Sequence, residues 1–218
     1  MRLLQAAVVG ACMAAAVGGG CSSATIALKE KFGYPKREQL VARVQDARDS
    51  QTEAKKQFES ALAEFLSVTG AQVPELEAKY DQLRKEQERS ESRAAAVNDR
   101  IANVERVGEA LFKEWRQELS QYSSDTLRKA SEQQLNDTRA QYDKLIGVMK
   151  AAAAKMNPVL AAFKDQVLFL KHNLNARAIA SLQANATQIQ SDVAGLVRDM
   201  EASIAEANAF IQQMQSGK

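Results

Sequence analysis

Apolar residues recur along most of this chain at alternating intervals of four and three, and the rhythm breaks at only a few places. On a helix of 3.6 residues per turn such spacing draws one narrow apolar stripe. The first stripe is Leu40, Val44, Ala47, Gln51, Ala54, Phe58, Ala61, Phe65 and Val68, a heptad seam with a polar insertion at Gln51. Proline is tolerated in a first helical turn, so Pro35 marks the predicted start of this helix, and Gly70 to Pro74 reads as a turn. The second stripe runs Val73, Leu76, Tyr80, Leu83, Gln87, Ser90, Ala94, Val97, Ile101, Val104, Gly108, Leu111, Trp115 and Tyr122, thinned midway by Gln87 and Ser90.

Ser123, Ser124 and Asp125 offer N-caps for a third helix directly after the second. Its stripe is Leu135, Thr138, Tyr142, Leu145, Met149, Ala152, Met156, Val159, Phe163, Val167 and Leu170. Pro158, after Asn157, should kink or interrupt it, because proline lacks the helical donor and crowds the preceding turn. A fourth seam follows: Leu182, Ala186, Ile189, Val193, Leu196, Met200, Ile204, Ala207, Ile211 and Met214. Between the two lie Asn173 and Asn175, suited to a helix end and an N-cap. A turn there lets four segments close into an elongated antiparallel bundle of coiled-coil character, up-down-up-down, of class all-α. The competing arrangement is one continuous third helix that buries its end by dimerising, which would make the protein a homo-oligomer.

The first residues read as an address. Met1 and Arg2 precede an apolar run from Leu3 to Val17, about fifteen residues where a spanning helix needs about twenty. Small residues Gly18 to Gly20 then lead into Cys21, which fits an export signal over residues 1–20. Val17 to Cys21 resembles a bacterial lipobox, with Gly18 where leucine is usual. The resemblance implies a lipid on Cys21, with palmitate among its acyl chains. Ser22 then implies the periplasmic face of the outer membrane. Cys12 has a local match too, but its apolar run is too short. Residues 21–34 are expected to form a lipidated tether and residues 35–218 the bundle. Ile26 to Phe32 is a candidate short helix ending at Gly33, and Lys29, Lys31, Lys36 and Arg37 face either headgroups or plain solvent.

Composition and charge remove several function classes. Basic and acidic residues number 29 and 27, intermixed, for a net +2, which speaks against nucleic acid as a partner. No glycine-rich phosphate loop follows a strand, so no ATP site is expected despite the long helices. The lone His172 has no carboxylate set at helical spacing beside it, so neither metal nor cofactor is expected. Glu105 with Glu109, and Glu114 with Glu118, share helix faces. Acid–base chemistry would need them in a desolvated cleft, and a narrow bundle has no obvious one. The chain is therefore expected not to be an enzyme, with no catalytic residue.

Two features keep sharper expectations open. Val159 to Leu182 is apolar on more than one face, including Leu160, Leu168, Phe169 and Ile179. Burial on several sides is the first expectation for such a segment, and an exposed patch for a partner or membrane the second. The murein lipoprotein is similar in outline, with lipid at one end, a coiled coil, and a terminal lysine joined to peptidoglycan. On that likeness Lys218 is a candidate linkage point, although nothing else of that motif is present.

Gly33 to Val41 (GYPKREQLV) and Phe163 to Leu182 (FKDQVLFLKHNLNARAIASL) look familiar. With the lipobox-like start and long helices, the chain resembles an uncharacterised family of proteobacterial lipoproteins, a domain of unknown function. The resemblance covers essentially the whole chain after Cys21 and carries no functional residues across. The expected function is a lipid-anchored periplasmic structural or interaction module whose partners are the membrane and an unidentified envelope protein. The alternative is a membrane-active protein that uses residues 159–182 during envelope stress.

Overall fold

The computed structural model describes residues 35–216. The export signal, Cys12, Cys21, the tether to Tyr34 and Lys218 all lie outside them. Five helices account for nearly all of the described chain: α1 (Lys36–Thr69), α2 (Leu76–Glu118), α3 (Asp125–Ala154), α4 (Met156–His172) and α5 (Ala176–Ser216). At 1.5 Å per residue, the 34 residues of α1 and the 43 of α2 make rods of about 50 and 65 Å.

Each predicted break has a local cause. Gly70 ends α1, and a 3₁₀ turn at Val73–Glu75 follows, in which the Gln72 amide donates to Glu75 Oε2 at 2.9 Å. Ser124 caps α3, its hydroxyl accepting the Leu127 amide. Asn173 terminates α4, its Nδ2 donating to the Phe169 carbonyl at 2.9 Å. Asn175 Oδ1 accepts the Ala178 amide at 3.2 Å at the start of α5. Pro158 acts as expected: it lacks the N–H that would bond the Ala154 carbonyl, and the helix breaks at Lys155. α3 and α4 still run on together as one rod, so five helices make four rods.

The rods pack in a ring: α1 on α2, α2 on α3 and α4, and these on α5, which returns to α1. Cross-helix partners give the directions. Lys36 pairs with Glu114, and Lys79 with Glu64, so α1 and α2 are antiparallel. Arg37 Nη2 donates to the Met214 carbonyl and Gln183 Nε2 to the Thr69 carbonyl, so α5 descends beside α1. Trp115 Nε1 donates to Ser131 Oγ at 2.9 Å where α2 meets α3. The result is the expected all-α, up-down-up-down bundle, with α4 and α5 separated at Asn173. The turns after α1 and α4 lie at one end. Pro35, the α2–α3 connection and the last turn of α5 lie at the other.

All nine positions of the first stripe and all eleven of the third are buried. The second stripe fails at its ends: Val73 is 45% exposed in the 3₁₀ turn, and Tyr122 is 42% exposed beyond the helix. In α5 the inward position is Ser203, and Ile204 is half-buried. Phe112, Phe210, Val107 and Ala178 are core residues outside the predicted stripes.

Aromatic pairs mark two levels of the core. Near the lower end Tyr142 meets Phe112 edge-on at 5.1 Å, with the Arg139 guanidinium over both rings. Burial pushes the Tyr142 phenol well above the ordinary tyrosine range, and nearby Glu105 adds to the shift. Toward the other end, Phe65 of α1 reaches Phe163 of α4 at 6.4 Å. Between them small buried side chains, among them Ala47, Ala54, Ser90, Ala94, Ala152 and Ala153, alternate with large ones such as Phe58, Met149 and Met200. Here Ser203 Oγ donates to Gln51 Oε1 at 2.9 Å in the interior, and Gln51 Nε2 has no partner among the described residues.

Two substitutions test this packing. A Cβ built on Gly108 would lie 2.5 Å from the Tyr142 ring, which Phe112 and Arg139 confine. Gly108→Ala should therefore cost about 1–2 kcal/mol, overpacking exceeding the helix-propensity gain of alanine. In a Tyr142→Ala background the same change should become neutral or stabilising, which a double-mutant cycle by urea denaturation would read. Ser203→Ala should cost about 1–3 kcal/mol by leaving both amide atoms of Gln51 unpaired, whereas Gln51→Leu with Ser203→Ala should be neutral or stabilising.

Candidate interaction surface

The four-residue apolar run Val167 to Leu170 cannot all face inward on a helix that turns about 100° per residue. Val167 and Leu170 continue the seam from Phe163 and are buried. Leu168 and Phe169 then point outward, 51% and 36% exposed. Leu174, in the turn that follows, is 40% exposed. Leu160 and Ile179, from the same apolar segment, pack half-buried against the core. The first expectation for residues 159–182, burial on several sides, therefore fails at Leu168, Phe169 and Leu174. Helix rotation is the reason.

Along α4 and its turn into α5, these three side chains have basic neighbours in the chain. Lys164 and Lys171 sit one turn before and after Leu168, with His172 beside them, and Arg177 opens α5. All four are exposed, and none of Lys164, Lys171 and Arg177 takes part in an ion pair among the described residues. Asp165 is the one acidic residue between Lys164 and Arg177. His172 thus lies in this patch. Among the described residues no group of three or more His, Cys, Asp or Glu side chains could hold a metal.

Two of the four carboxylates singled out from sequence serve as ion-pair partners, on separate seams. Glu105 takes Lys150 at 2.9 Å and Glu114 takes Lys36 at 2.8 Å, while Glu109 and Glu118 are exposed. Further pairs cross the α1–α5 and α3–α5 seams at Lys55–Glu201 and Lys144–Glu206. The hydrogen bond from Lys55 to Glu201 raises the lysine pKa. Trp115 is half-buried and spends its N–H on Ser131.

Two hollows in this surface are open grooves. One of about 300 Å³ runs beside the α3–α4 break, lined by Asn98, Ile101, Glu105, Lys150 and Asn157. Another of about 250 Å³ lies between the ends of α1 and α5, at Arg37, Val41 and Met214. The α3–α4 rod, Asp125–His172, has the length and composition of a membrane span, the one such helix among the described residues. A third of its most apolar stretch is buried in the bundle, and Lys150 and Lys155 on it pair with Glu105 and Asp199. In this structure its apolar stripe packs against the other rods.

The family model described as "Protein of unknown function (DUF2959)" matches residues 26–214. The chain belongs to this family. No curated protein and no solved structure matches it. The matched span takes in all of α1 to α4 and α5 up to Met214, so bundle and tip are features of a DUF2959 member.

Exposure predicts a split between neighbouring residues of α4. Leu168→Ser or Phe169→Ser should change stability by less than about 0.5–1 kcal/mol, as surface substitutions do. Leu170→Ala, one position on, should cost about 2–5 kcal/mol through the cavity it opens. Urea midpoints of the three variants would check the orientation of the patch.

Proposed function

We propose that this DUF2959 protein is a non-catalytic, lipid-anchored helical rod that serves as a structural or protein-interaction module of the bacterial envelope. The chain is exported, loses residues 1–20, carries its lipid on Cys21 and faces the periplasm from the outer membrane. What supports the reading is the placement of the chain's entry into the bundle. Pro35 stands at one extreme of the rod, and α1 then carries the chain about 50 Å away before its first turn. An anchor on Cys21, fourteen positions before Pro35, would hold that extreme near the bilayer and project the basic, apolar tip outward. Side chains fill the core, and the charged residues are spread along seams in pairs, which suits a spacer with a presenting end better than a catalyst.

Cells of a proteobacterial host producing the full chain or its Cys21→Ser variant provide the test. The wild type should fractionate with membranes and incorporate labelled palmitate, and photo-crosslinkers on its exposed faces should trap a recurrent envelope protein. The variant should lose both the label and the membrane association. Membrane retention and labelling of the variant would refute the anchor. A wild type that crosslinks to nothing recurrent would refute the interaction role.

A further inference from the structure

We infer that the tip formed by the end of α4 and its turn into α5 docks on an anionic lipid surface, with Leu168, Phe169 and Leu174 as the inserting groups and Lys164, Lys171 and Arg177 as the phosphate-facing ones. Charge complementarity carries the choice of occupant. Along α4 and its turn, Lys164 to Arg177 holds three fixed cations against the single Asp165, while the exposed Glu75 and Glu77 stand at the α1–α2 turn at the same end of the rod. Those cations are exposed and outside any ion pair among the described residues, while Lys36, Lys55, Lys144, Lys150 and Lys155 each pair across a seam. The apolar members are exposed without being a groove: an outward leucine, the neighbouring phenylalanine and a leucine in the turn.

Three such side chains offer far less area than the roughly 800 Å² per partner of a stable protein–protein interface. They suit shallow insertion at the headgroup–acyl boundary, where apolar burial and attraction to anionic lipid add together. The tip is also an end of the rod, so it can meet a flat surface without the bundle opening. Burial of the neighbouring Phe163, Val167 and Leu170 keeps the core closed while Leu168 and Phe169 face out.

The inference goes beyond the anchored-rod reading and does not need it, because the test uses a chain without Cys21. If both hold, the rod has a lipid contact at each end. The core closes among residues 40–214, so a chain running from Ser22 to Lys218 keeps every helix. Its sedimentation with phosphatidylcholine vesicles is compared with sedimentation on vesicles that also contain phosphatidylglycerol. Binding should occur on the anionic vesicles, weaken as salt rises, and be at least about tenfold lower on neutral ones.

Two triple variants should each lose about tenfold or more in partitioning while keeping the parent's circular dichroism: Leu168→Ser with Phe169→Ser and Leu174→Ser, and Lys164→Gln with Lys171→Gln and Arg177→Gln. No binding to anionic vesicles at low salt, equal binding to neutral ones, or binding that survives both variants would overturn the inference. So would capture of an acidic protein at the tip by a chain that ignores vesicles. Failure in any of these ways leaves membrane fractionation through Cys21 unaffected, so the two readings fall separately.

Discussion

A helix with one narrow apolar strip cannot dry that strip by itself, and everything in this bundle follows from that constraint. Of the exposed and buried faces of α1, the buried one is a single row from Leu40 to Val68, and α2 and α5 flank it along its length. Burying each leucine or phenylalanine in such a row stabilises by about 1.5–3 kcal/mol, whereas an exposed ion pair contributes about 0–1. The rows therefore hold the rods together. The charges along the seams favour one alignment of rods that apolar packing has already closed.

The interior is uneven along its length. Aromatic clusters, Phe112 with Tyr142 and Phe65 with Phe163, occupy the two halves, and alanines with the Gln51–Ser203 pair lie between them. Gln51 Nε2 is buried without a partner among the described residues, a cost that an apolar residue would avoid. A polar pair in an otherwise apolar seam penalises sliding of α1 against α5, since any shift separates the two partners. The Pro158 break falls in the same region, where Lys155 pairs with Asp199 of α5.

At the tip, core and surface requirements act on the same few residues. Phe163, Val167 and Leu170 must face in to seal the last turn of α4, and the intervening apolar residues are turned out as a consequence. A solvated end would be expected to carry polar residues at those positions. Leucine and phenylalanine there, beside Lys164 and Lys171, give this end of the bundle an exposed apolar face.

Most of the fold was legible in the residues. Every member of the first and third stripes is buried, and the caps at Ser124 and Asn175 and the break at Pro158 stand where their chemistry indicates. The stripes were drawn too narrow, because a helix with three neighbours buries flanking positions such as Val107, Phe112 and Phe210 that a two-stranded seam leaves wet. In α5 a strict seven-residue repeat drifts against 3.6 residues per turn, which brings Ser203 inward and moves Ile204 aside. Val73 and Tyr122 were misplaced because periodicity carries no information on where packing stops. The candidate tip was only half legible: its composition stood out, but burial was the expected outcome. The sequence determined which residues form helices, where those helices stop and which faces are apolar, since these depend on local backbone chemistry and helical pitch. Tertiary structure alone decided which apolar side chains beyond the seams find a neighbour, because that depends on where the other three rods stand.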